Sequence, residues 1–458
     1  MHYRKKLLLP LIMSVAISAD AASTSLSLDS CRTLALANNK ELRAAEMERR
    51  AAHYGRKSAF TAYLPKVSAS GIYMHTDRGL SLLSDEQKSG LSHIGSALSV
   101  PALNSVGQRL VDALRTDTRN MYGAAVMLTQ PIYMGGKIRA YNKIAGYVEQ
   151  IADHKLDLCL QDLIIDVEET YWNIVALTSR KHLAESYLNL VRTLDSDVEK
   201  LKAEGFATEA DCLSVKVKVN EAKVTIIQVD NGLELLRMRL CQLCGLPLDD
   251  DVVPADAATY SAGSYMPAAP DDTNLWLQRP ELSAVGNSVR ISEEKIKIAR
   301  SEFLPSVALT GGYVASNPSV FNSFEKKFKG TWNIGVALNI PILTWGDRAF
   351  KVKSAKAEAI SASFRYDELK EKIELQVNQS KLKLKEAQEK YLTALSSQRE
   401  ADENLRYATL GLKEGVIPVS NVIEAQTAWL SAKTGNINAE IELRLADIYL
   451  KRALGVIK

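Results

Sequence analysis

The stretch LPKVSASGIY, residues 64–73, returns as LPSVALTGGY at residues 304–313. In both copies bulky residues alternate with small or polar ones, and a period of two indicates a β-strand with one apolar face. A second pair of similar stretches follows, VMLTQPIYMGGKIRA at 126–140 and VALNIPILTWGDRAF at 336–350. Repetition on this scale predicts that the chain consists of two related halves.

The spacing of the repeats sets the boundaries of the halves. The first pair is offset by 240 residues and the second by 210, so the first half holds about 30 extra residues in a loop from about Thr76 to Asn120. We predict a first repeat over 22–246 and a second over 273–458, joined by a linker at 247–272 rich in Asp, Ala and Pro. Each repeat begins with a helix. The other predicted elements are strands at about 66–75, 121–132, 305–315 and 331–342, long helices at 137–204 and 347–414, and return helices at 208–246 and 419–455.

The four predicted strands suit a membrane. Strands that cross an outer membrane have about 9 to 11 residues, with apolar side chains toward lipid and polar ones toward water. The alternation also suits half of a soluble sandwich, but the sequence offers no second sheet to cover the polar face. An open edge in lipid costs several kcal/mol for each unsatisfied backbone group, and the smallest membrane barrels have about eight strands. The pattern therefore predicts an oligomer, and three copies would give twelve strands.

The long helices carry a seam of apolar and small residues at heptad spacing. Neither 137–204 nor 347–414 contains proline, and at about 1.5 Å per residue each would extend roughly 100 Å. No globular core is that long, so we predict helical walls around a space, with a solid coiled coil as the alternative. The seam consists of Ala145, Ala152, Leu156, Cys159, Leu163, Val167, Ile174, Leu177, Ala184, Leu188 and Val191, then Ala355, Ala359, Ala362, Tyr366, Leu369, Ile373, Val377, Leu384, Ala387, Tyr391, Ala394, Ala401, Leu405, Ala408 and Leu412.

The start of the chain and its composition indicate where the protein is located and which partners it is expected to lack. Basic residues 4–6, an apolar run over 7–17 and small residues near 19–21 predict a signal peptide over 1–21. Later segments fall short of 18 consecutive apolar residues, which argues against a transmembrane helix. With 57 basic and 54 acidic residues the net charge is +3, so nucleic acid is not an expected partner. Five cysteines are too few for a disulfide scaffold, and Cys241 and Cys244 are interpreted as buried small hydrophobes.

The sequence does not predict an enzyme. Its six histidines are dispersed, without an HExxH or a CxxC-plus-His grouping that would indicate a metal site. The GGK at 135–137 lacks the earlier glycine of a phosphate-binding loop. We therefore expect no catalytic residues, no cofactor and no metal.

The order of these features resembles the outer-membrane efflux protein family typified by TolC. The resemblance rests on the paired LP strand starts, the strand-end prolines and glycines, the duplicated halves and the turn GVIPVSNVIEAQ at 415–426. It implies an α+β membrane protein: a homotrimer with a 12-stranded outer-membrane β-barrel, four strands per chain, continued by a long periplasmic α-helical barrel with an equatorial region at the linker. It also implies a passive exit duct for small molecules in a tripartite efflux pump, with a periplasmic adaptor and an inner-membrane transporter as partners.

Two other functions remain open from the sequence. A type I protein-secretion conduit would share every feature, and only its partner would differ. A soluble periplasmic coiled-coil adaptor would share the long helices, but it should lack four strands with lipid-like faces.

The resemblance also assigns roles to the turns between the helices. It implies a periplasmic gate at Asp211, Asn421 and Glu424, although Asn421 stands where an aspartate is common. Adaptor contacts are implied at the tips, at Gly205, Phe206, Ala207, Gly415, Val416 and Ile417. The residues alone also allow local roles: Asp211 suits a helix N-terminus, Glu424 a solvated face, and both glycines a left-handed turn.

Overall fold

A computed structural model describes residues 24–77, 80–81, 83–113, 115–116, 118–257, 265, 267, 275–319 and 325–457. The predicted signal peptide, residues 1–21, lies outside these ranges, as does much of the predicted linker.

The described chain is largely helical. Two helices have 67 residues each, α6 and α9, and each is followed by a helix of 36 residues, α7 and α10. None of the helices in the described ranges is both long enough and apolar enough to cross a membrane. The helices are α1 (Leu28–Asn38), α2 (Lys40–Phe60), α3 (Asp85–Ser92), α4 (Ile94–Ala97), α5 (Ala102–Ala113), α6 (Lys137–Ala203), α7 (Glu209–Cys244), α8 (Pro280–Ser301), α9 (Asp347–Lys413) and α10 (Val419–Leu454).

The strands form one four-stranded antiparallel sheet and two small pairs. The large sheet has the order β2-β5-β7-β8, while β1 pairs with β6 and β3 with β4. The strands are β1 (Thr24–Leu26), β2 (Lys66–His75), β3 (Leu80–Ser81), β4 (Arg115–Thr116), β5 (Asn120–Met134), β6 (Val252–Pro254), β7 (Ser306–Asn317) and β8 (Lys329–Asn339).

Several strand ends differ from the sequence prediction by up to three residues, and a proline lies at two of them. The strand predicted to reach residue 342 ends at Asn339, because Pro341 has no N–H to donate to a ladder. On β5 the ladder continues past Pro131 to Met134, with a register shift between Pro131 and Tyr133 that accommodates the proline.

The chain folds as two compact units, and each unit takes segments from both halves of the sequence. One consists of Met1–Glu48, His154–Ser283 and Glu368–Lys458, and the other of Arg49–Asp153 and Ala284–Asp367. The four-stranded sheet and α3 to α5 belong to the second unit. The turns that follow α6 and α9 belong to the first.

The predicted seams supply much of the core of the first unit. Val167 and Ile174 on α6 are fully buried, and they cluster with Leu240 and Cys241 near the end of α7. On α9 the seam residues Ile373, Val377, Leu384, Ala387 and Tyr391 are buried. Side chains that recur every three or four residues lie on one helical face, so a heptad-like pattern marks the buried stripe.

Candidate functional site: the open sheet and the helix tips

The register of the sheet gathers the bulky residues on one face. Cross-strand partners on this face include Val67 with Leu128, Tyr73 with Tyr122, Val126 with Tyr313, Tyr313 with Trp332, and Leu309 with Val336. The column on β8 is the most exposed, with Trp332 at 74% and Ile334 at 69%. An apolar surface of this kind on the protein marks an interaction with a membrane or another protein.

The opposite face is mostly small or polar, but it also carries bulky residues that the repeat pattern did not predict. Ser68, Ser70, Thr310 and Asn333 follow the expected alternation, but Ile72 and Met74 lie on the same face as these residues. The expectation that all bulky residues of the first strand share one side is therefore wrong at these two positions. The space for Ile72 comes from its partner Gly123, where a Cβ would lie 2.8 Å from the isoleucine side chain.

Among the described residues, no strand pairs with either edge of the large sheet, which therefore has two open edges. β2 and β8 are its outer strands, and all ten residues of β2 are exposed. On β8 every residue but Thr331 is exposed as well. Unpaired edge strands present rows of free N–H and C=O groups that pair readily with a strand of another chain.

The segment after β8 carries exposed apolar residues, one of which the sequence prediction had included in the strand. Ile342, Leu343 and Trp345 are 92%, 69% and 89% exposed. The sequence prediction counted Ile342 as a strand residue, whereas it lies beyond the strand end. Trp345 has a left-handed backbone with φ 50°, which is uncommon for a bulky residue. These three exposed apolar side chains follow within six residues of the end of β8.

Both 67-residue helices end in the same turn. After α6, the N–H groups of Gly205 and Phe206 donate to the carbonyls of Lys202 and Leu201 at 3.0 and 2.8 Å. This pair of bonds is a Schellman motif, which satisfies the last carbonyls of a helix and requires a left-handed residue. Gly205 supplies that conformation with φ +85°.

The turn after α9 repeats this geometry. Gly415 and Val416 donate to the carbonyls of Leu412 and Gly411 at 3.0 and 2.8 Å, and Gly415 has φ +68°. A Cβ on either Gly205 or Gly415 would meet no atom within 4 Å. Both glycines are therefore needed for backbone conformation and not for close packing within this chain.

The predicted adaptor contacts divide into two kinds. Ala207 and Ile417 are partly buried and pack against a core shared by the two tips. Phe206 and Val416, one residue earlier in each turn, are 79% and 76% exposed. The shared core includes Val198, Cys212, Val215, Val219, Ala408, Leu412, Val419 and Val422. Each tip thus combines one hydrophobic side chain that stabilises the turn with one that faces solvent.

Asp211 has a defined structural role at the start of α7. Its N–H donates to the Thr208 hydroxyl at 3.2 Å, and its carboxylate accepts from the Thr208 N–H at 2.9 Å and the Thr208 hydroxyl at 2.6 Å. This reciprocal arrangement is a capping box. The hydrogen bonds from Thr208 lower the pKa of Asp211 below its ordinary value. Asp211 is thus both a charged tip residue and a helix cap.

The second tip lacks this arrangement. α10 begins after Pro418, which makes no side-chain cap, and the N–H of Asn421 donates to the Pro418 carbonyl at 3.2 Å. Asn421 and Glu424 are both exposed. Within the described ranges no ion pair to Glu424 is found. The two tips therefore share a backbone turn but differ in charge and in helix capping.

An ion pair spans the first tip, and sequence reasoning missed it. Lys202, in the last turn of α6, pairs with Glu209 in the first turn of α7. The hydrogen bond between them raises the pKa of Lys202 and lowers that of Glu209. Spacing across a glycine turn gives no helical periodicity, so only the observed turn brings these residues together. Among the described residues no group of three or more His, Cys, Asp or Glu side chains is arranged to hold a metal ion.

Comparison with known proteins agrees with this architecture. The family described as outer membrane efflux protein matches residues 32–246 and 274–456. Protein CyaE of Bordetella pertussis is 22% identical over 306 residues, which cover 65% of this chain and 62% of that protein. Outer membrane protein TolC of Escherichia coli K12 is 21% identical over 356 residues, which cover 74% of this chain and 70% of that protein. BepC of Brucella suis aligns over 58% of its length, so the chain spans about three fifths of some of these relatives.

Solved structures share the fold. The outer-membrane channel OprN superposes with a TM-score of 0.78 at 18% identity, over 93% of this chain and 89% of that one. CusC superposes with a TM-score of 0.75 at 15% identity, over 99% of this chain and 98% of that one. At these identities the likeness establishes the α+β fold, which the sequence predicted.

Proposed function

The chain belongs to the outer membrane efflux protein family, and from this membership we propose that it is the outer-membrane exit channel of a multi-component efflux pump. In this proposal three copies assemble, their sheets join into one twelve-stranded barrel, and the helices continue it as a periplasmic duct. The channel itself is passive, and an inner-membrane transporter, linked through a periplasmic adaptor, supplies the energy.

One observation carries the proposal: the sheet is open at both edges and apolar on one face. β2 and β8 are the outer strands of a four-stranded antiparallel sheet. Such a sheet is incompatible with lipid unless its edges are paired, because each unsatisfied backbone group in hydrocarbon costs several kcal/mol. Pairing β8 of one copy with β2 of the next closes the sheet, places Trp332 and Val336 toward lipid, and places Ser70 and Asn333 toward water.

Relatives support small molecules as the cargo. Among them are a toluene efflux pump outer membrane protein of Pseudomonas putida and a cation efflux system protein of Escherichia coli. We propose a cargo class of small toxic compounds for this chain as well. A wide duct with a small and polar lining binds its cargo weakly, which suits an exit path that serves many compounds.

The tips are proposed to meet the adaptor and to close the duct. Phe206 and Val416 are hydrophobic side chains that the described fold leaves exposed, so burial against a partner would stabilise a complex. Asp211 and Glu424 would each form a ring of three like charges in a trimer, which favours cations and opposes closure. Asn421, being neutral, would add no charge to its ring.

The experiment that tests the channel is assembly and conductance of the purified protein. We expect the full chain to fractionate with outer membranes, to have the mass of three chains in native mass spectrometry and to conduct ions in planar lipid bilayers. A water-soluble monomer, or a membrane trimer without conductance, would contradict the proposal.

The gate assignment has its own test. Asp211→Asn keeps an acceptor for Thr208 while removing the charge, and Glu424→Gln is the matching neutral change in the second tip. We expect the double variant to lose cation preference relative to the wild type, measured from reversal potentials in a salt gradient. Asn421→Asp is the matched control and should increase cation preference. Unchanged selectivity in both variants would remove these residues from the gate.

A further inference from the structure

The cysteines of this chain are concentrated in one place. Cys31 on α1 and Cys241 and Cys244 at the end of α7 are all 0% exposed and belong to one hydrophobic cluster. Cys159 on α6 packs against the same cluster, whereas Cys212 lies in the separate core at the tips. Four of the five thiols therefore surround one site, brought there from three helices.

Within this group, Cys31 and Cys244 are in contact. The Cys244 thiol lies 3.6 Å from the backbone carbonyl oxygen of Cys31, to which it donates. A side-chain hydrogen bond with Cys244 lowers the pKa of Cys31. The Cys241 thiol is directed elsewhere, toward the carbonyl of Asp250 at 3.4 Å.

We propose that Cys31 and Cys244 form a disulfide bond in the mature protein, joining α1 to the end of α7. The Cys244 thiol contacts Cys31 inside one buried cluster, and a protein of the outer membrane passes through the periplasm, where disulfides form and persist. The inference depends on that location and not on the channel function.

The chemistry is a thiol–disulfide exchange that is completed before the cluster closes. The Cys31 thiolate attacks a disulfide-bearing oxidant and releases one thiol. The Cys244 sulfur then displaces the second thiol from the mixed disulfide. Two protein thiols are oxidised, the oxidant disulfide is reduced to two thiols, and one Sγ–Sγ bond forms. Complete burial afterwards excludes reductants, so the bond should persist.

The test uses the full chain with a protease site inserted at the exposed Phe206, between the two cysteines. Cells are treated with N-ethylmaleimide before lysis to block free thiols, and the membrane protein is cleaved and run on denaturing gels. We expect one full-length band without reductant and two fragments after reduction. Cys31→Ala and Cys244→Ala should each give two fragments without reductant. The matched controls Cys241→Ala and Cys159→Ala, at the same cluster, should stay joined.

Mass spectrometry of the unmutated chain keeps the proposal testable if a variant fails to fold. Alkylation without reduction should label Cys159, Cys212 and Cys241 and leave Cys31 and Cys244 linked in one peptide pair. Alkylation of all five cysteines, or a linkage through Cys241 or Cys159 instead, would overturn the assignment.

Discussion

At the scale of single residues, the first helix tip shows that one side chain can serve two functions. The Asp211 carboxylate caps α7 through Thr208, and it also carries the charge proposed for the gate. A substitution to alanine would remove the charge and the cap together. Changes that separate the two are therefore the informative ones.

The cap predicts a local loss of stability when Thr208 is replaced. Thr208→Ala should destabilise the start of α7 by about 1 kcal/mol, which corresponds to a roughly fivefold larger population of the opened turn. Hydrogen exchange of the amides over residues 209–212 would measure it. The start of α10 is the internal control, because it has no side-chain cap and should exchange as in the wild type. Equal protection in wild type and variant would show that the cap contributes nothing.

The lowered pKa of Asp211 predicts a pH dependence with a definite sign. A carboxyl whose pKa is lowered on folding contributes stability above its ordinary pKa, 3.8 for aspartate, and loses that stability as the pH falls through the lowered value. Asp211→Asn should therefore reduce protection of the α7 amides at neutral pH, and the difference from the wild type should shrink as the pH falls through the lowered pKa. A difference that persists undiminished in acid would mean that the carboxylate charge is not the cause.

The left-handed glycines predict two different costs. Gly205→Ala meets no atom within 4 Å, so only the left-handed backbone opposes it, at about 1–2 kcal/mol. Gly245 has φ +70°, and a Cβ there would lie 2.6 Å from the Cβ of Asn38 and 3.0 Å from its carbonyl oxygen. Gly245→Ala should therefore cost about 1–3 kcal/mol more. Thermal unfolding of both variants in one detergent would compare them, and equal midpoints would contradict the packing argument.

At the scale of elements, the two faces of β8 make the sheet testable. Val336 lies on the apolar face and Ala337 on the opposite face, and both are exposed. Val336→Lys should cost about 2–4 kcal/mol if that face meets lipid at mid-depth, whereas Ala337→Lys should be tolerated in a water-filled lumen. The yield of assembled trimer in outer membranes measures the effect. Equal losses for the two variants would show that the faces are not so divided.

A second element, the insertion between β2 and β5, folds into helices that the sequence treated only as a long loop. α3 starts with a capping box between Ser84 and Gln87, and Gly107 of α5 lies so close to Leu91 that a Cβ would be 1.8 Å from its carbonyl oxygen. Glycine there permits a close helix crossing. The sequence prediction of this loop rested only on the number of inserted residues, and that number does not predict how they pack.

At the scale of the whole molecule, the insertion should be dispensable for assembly. The β2–β5 ladder pairs residues 66–75 with 120–129 and does not need the intervening helices. Replacing residues 77–118 with Asn-Gly should leave a hairpin turn and a membrane trimer. Native mass spectrometry gives the stoichiometry. Loss of the trimer would show that the insertion holds the subunits together.

The amino-acid sequence by itself determined the long helices, the four strands with one apolar face each, and the glycine turns between helices. These features depend on neighbours within a few residues: alternation sets a strand face, heptad spacing sets a helix stripe, and a glycine permits a left-handed turn. At Ile72 and Met74 the alternation of bulky and small residues is incomplete, and both side chains lie on the face that was predicted to be small and polar. The cross-strand partner Gly123 makes room for Ile72.

Only the tertiary structure decided the contacts between distant segments. Arg279 is 5% exposed because Glu281 and Gln376 accept its hydrogen bonds, and Gln376 is 97 residues away. Cys31 and Cys244 lie 213 residues apart. The strand order β2-β5-β7-β8, with its two open edges, likewise depends on contacts between distant segments. Such contacts form only when the helices and strands pack against one another, so no pattern within a few residues of sequence predicts them.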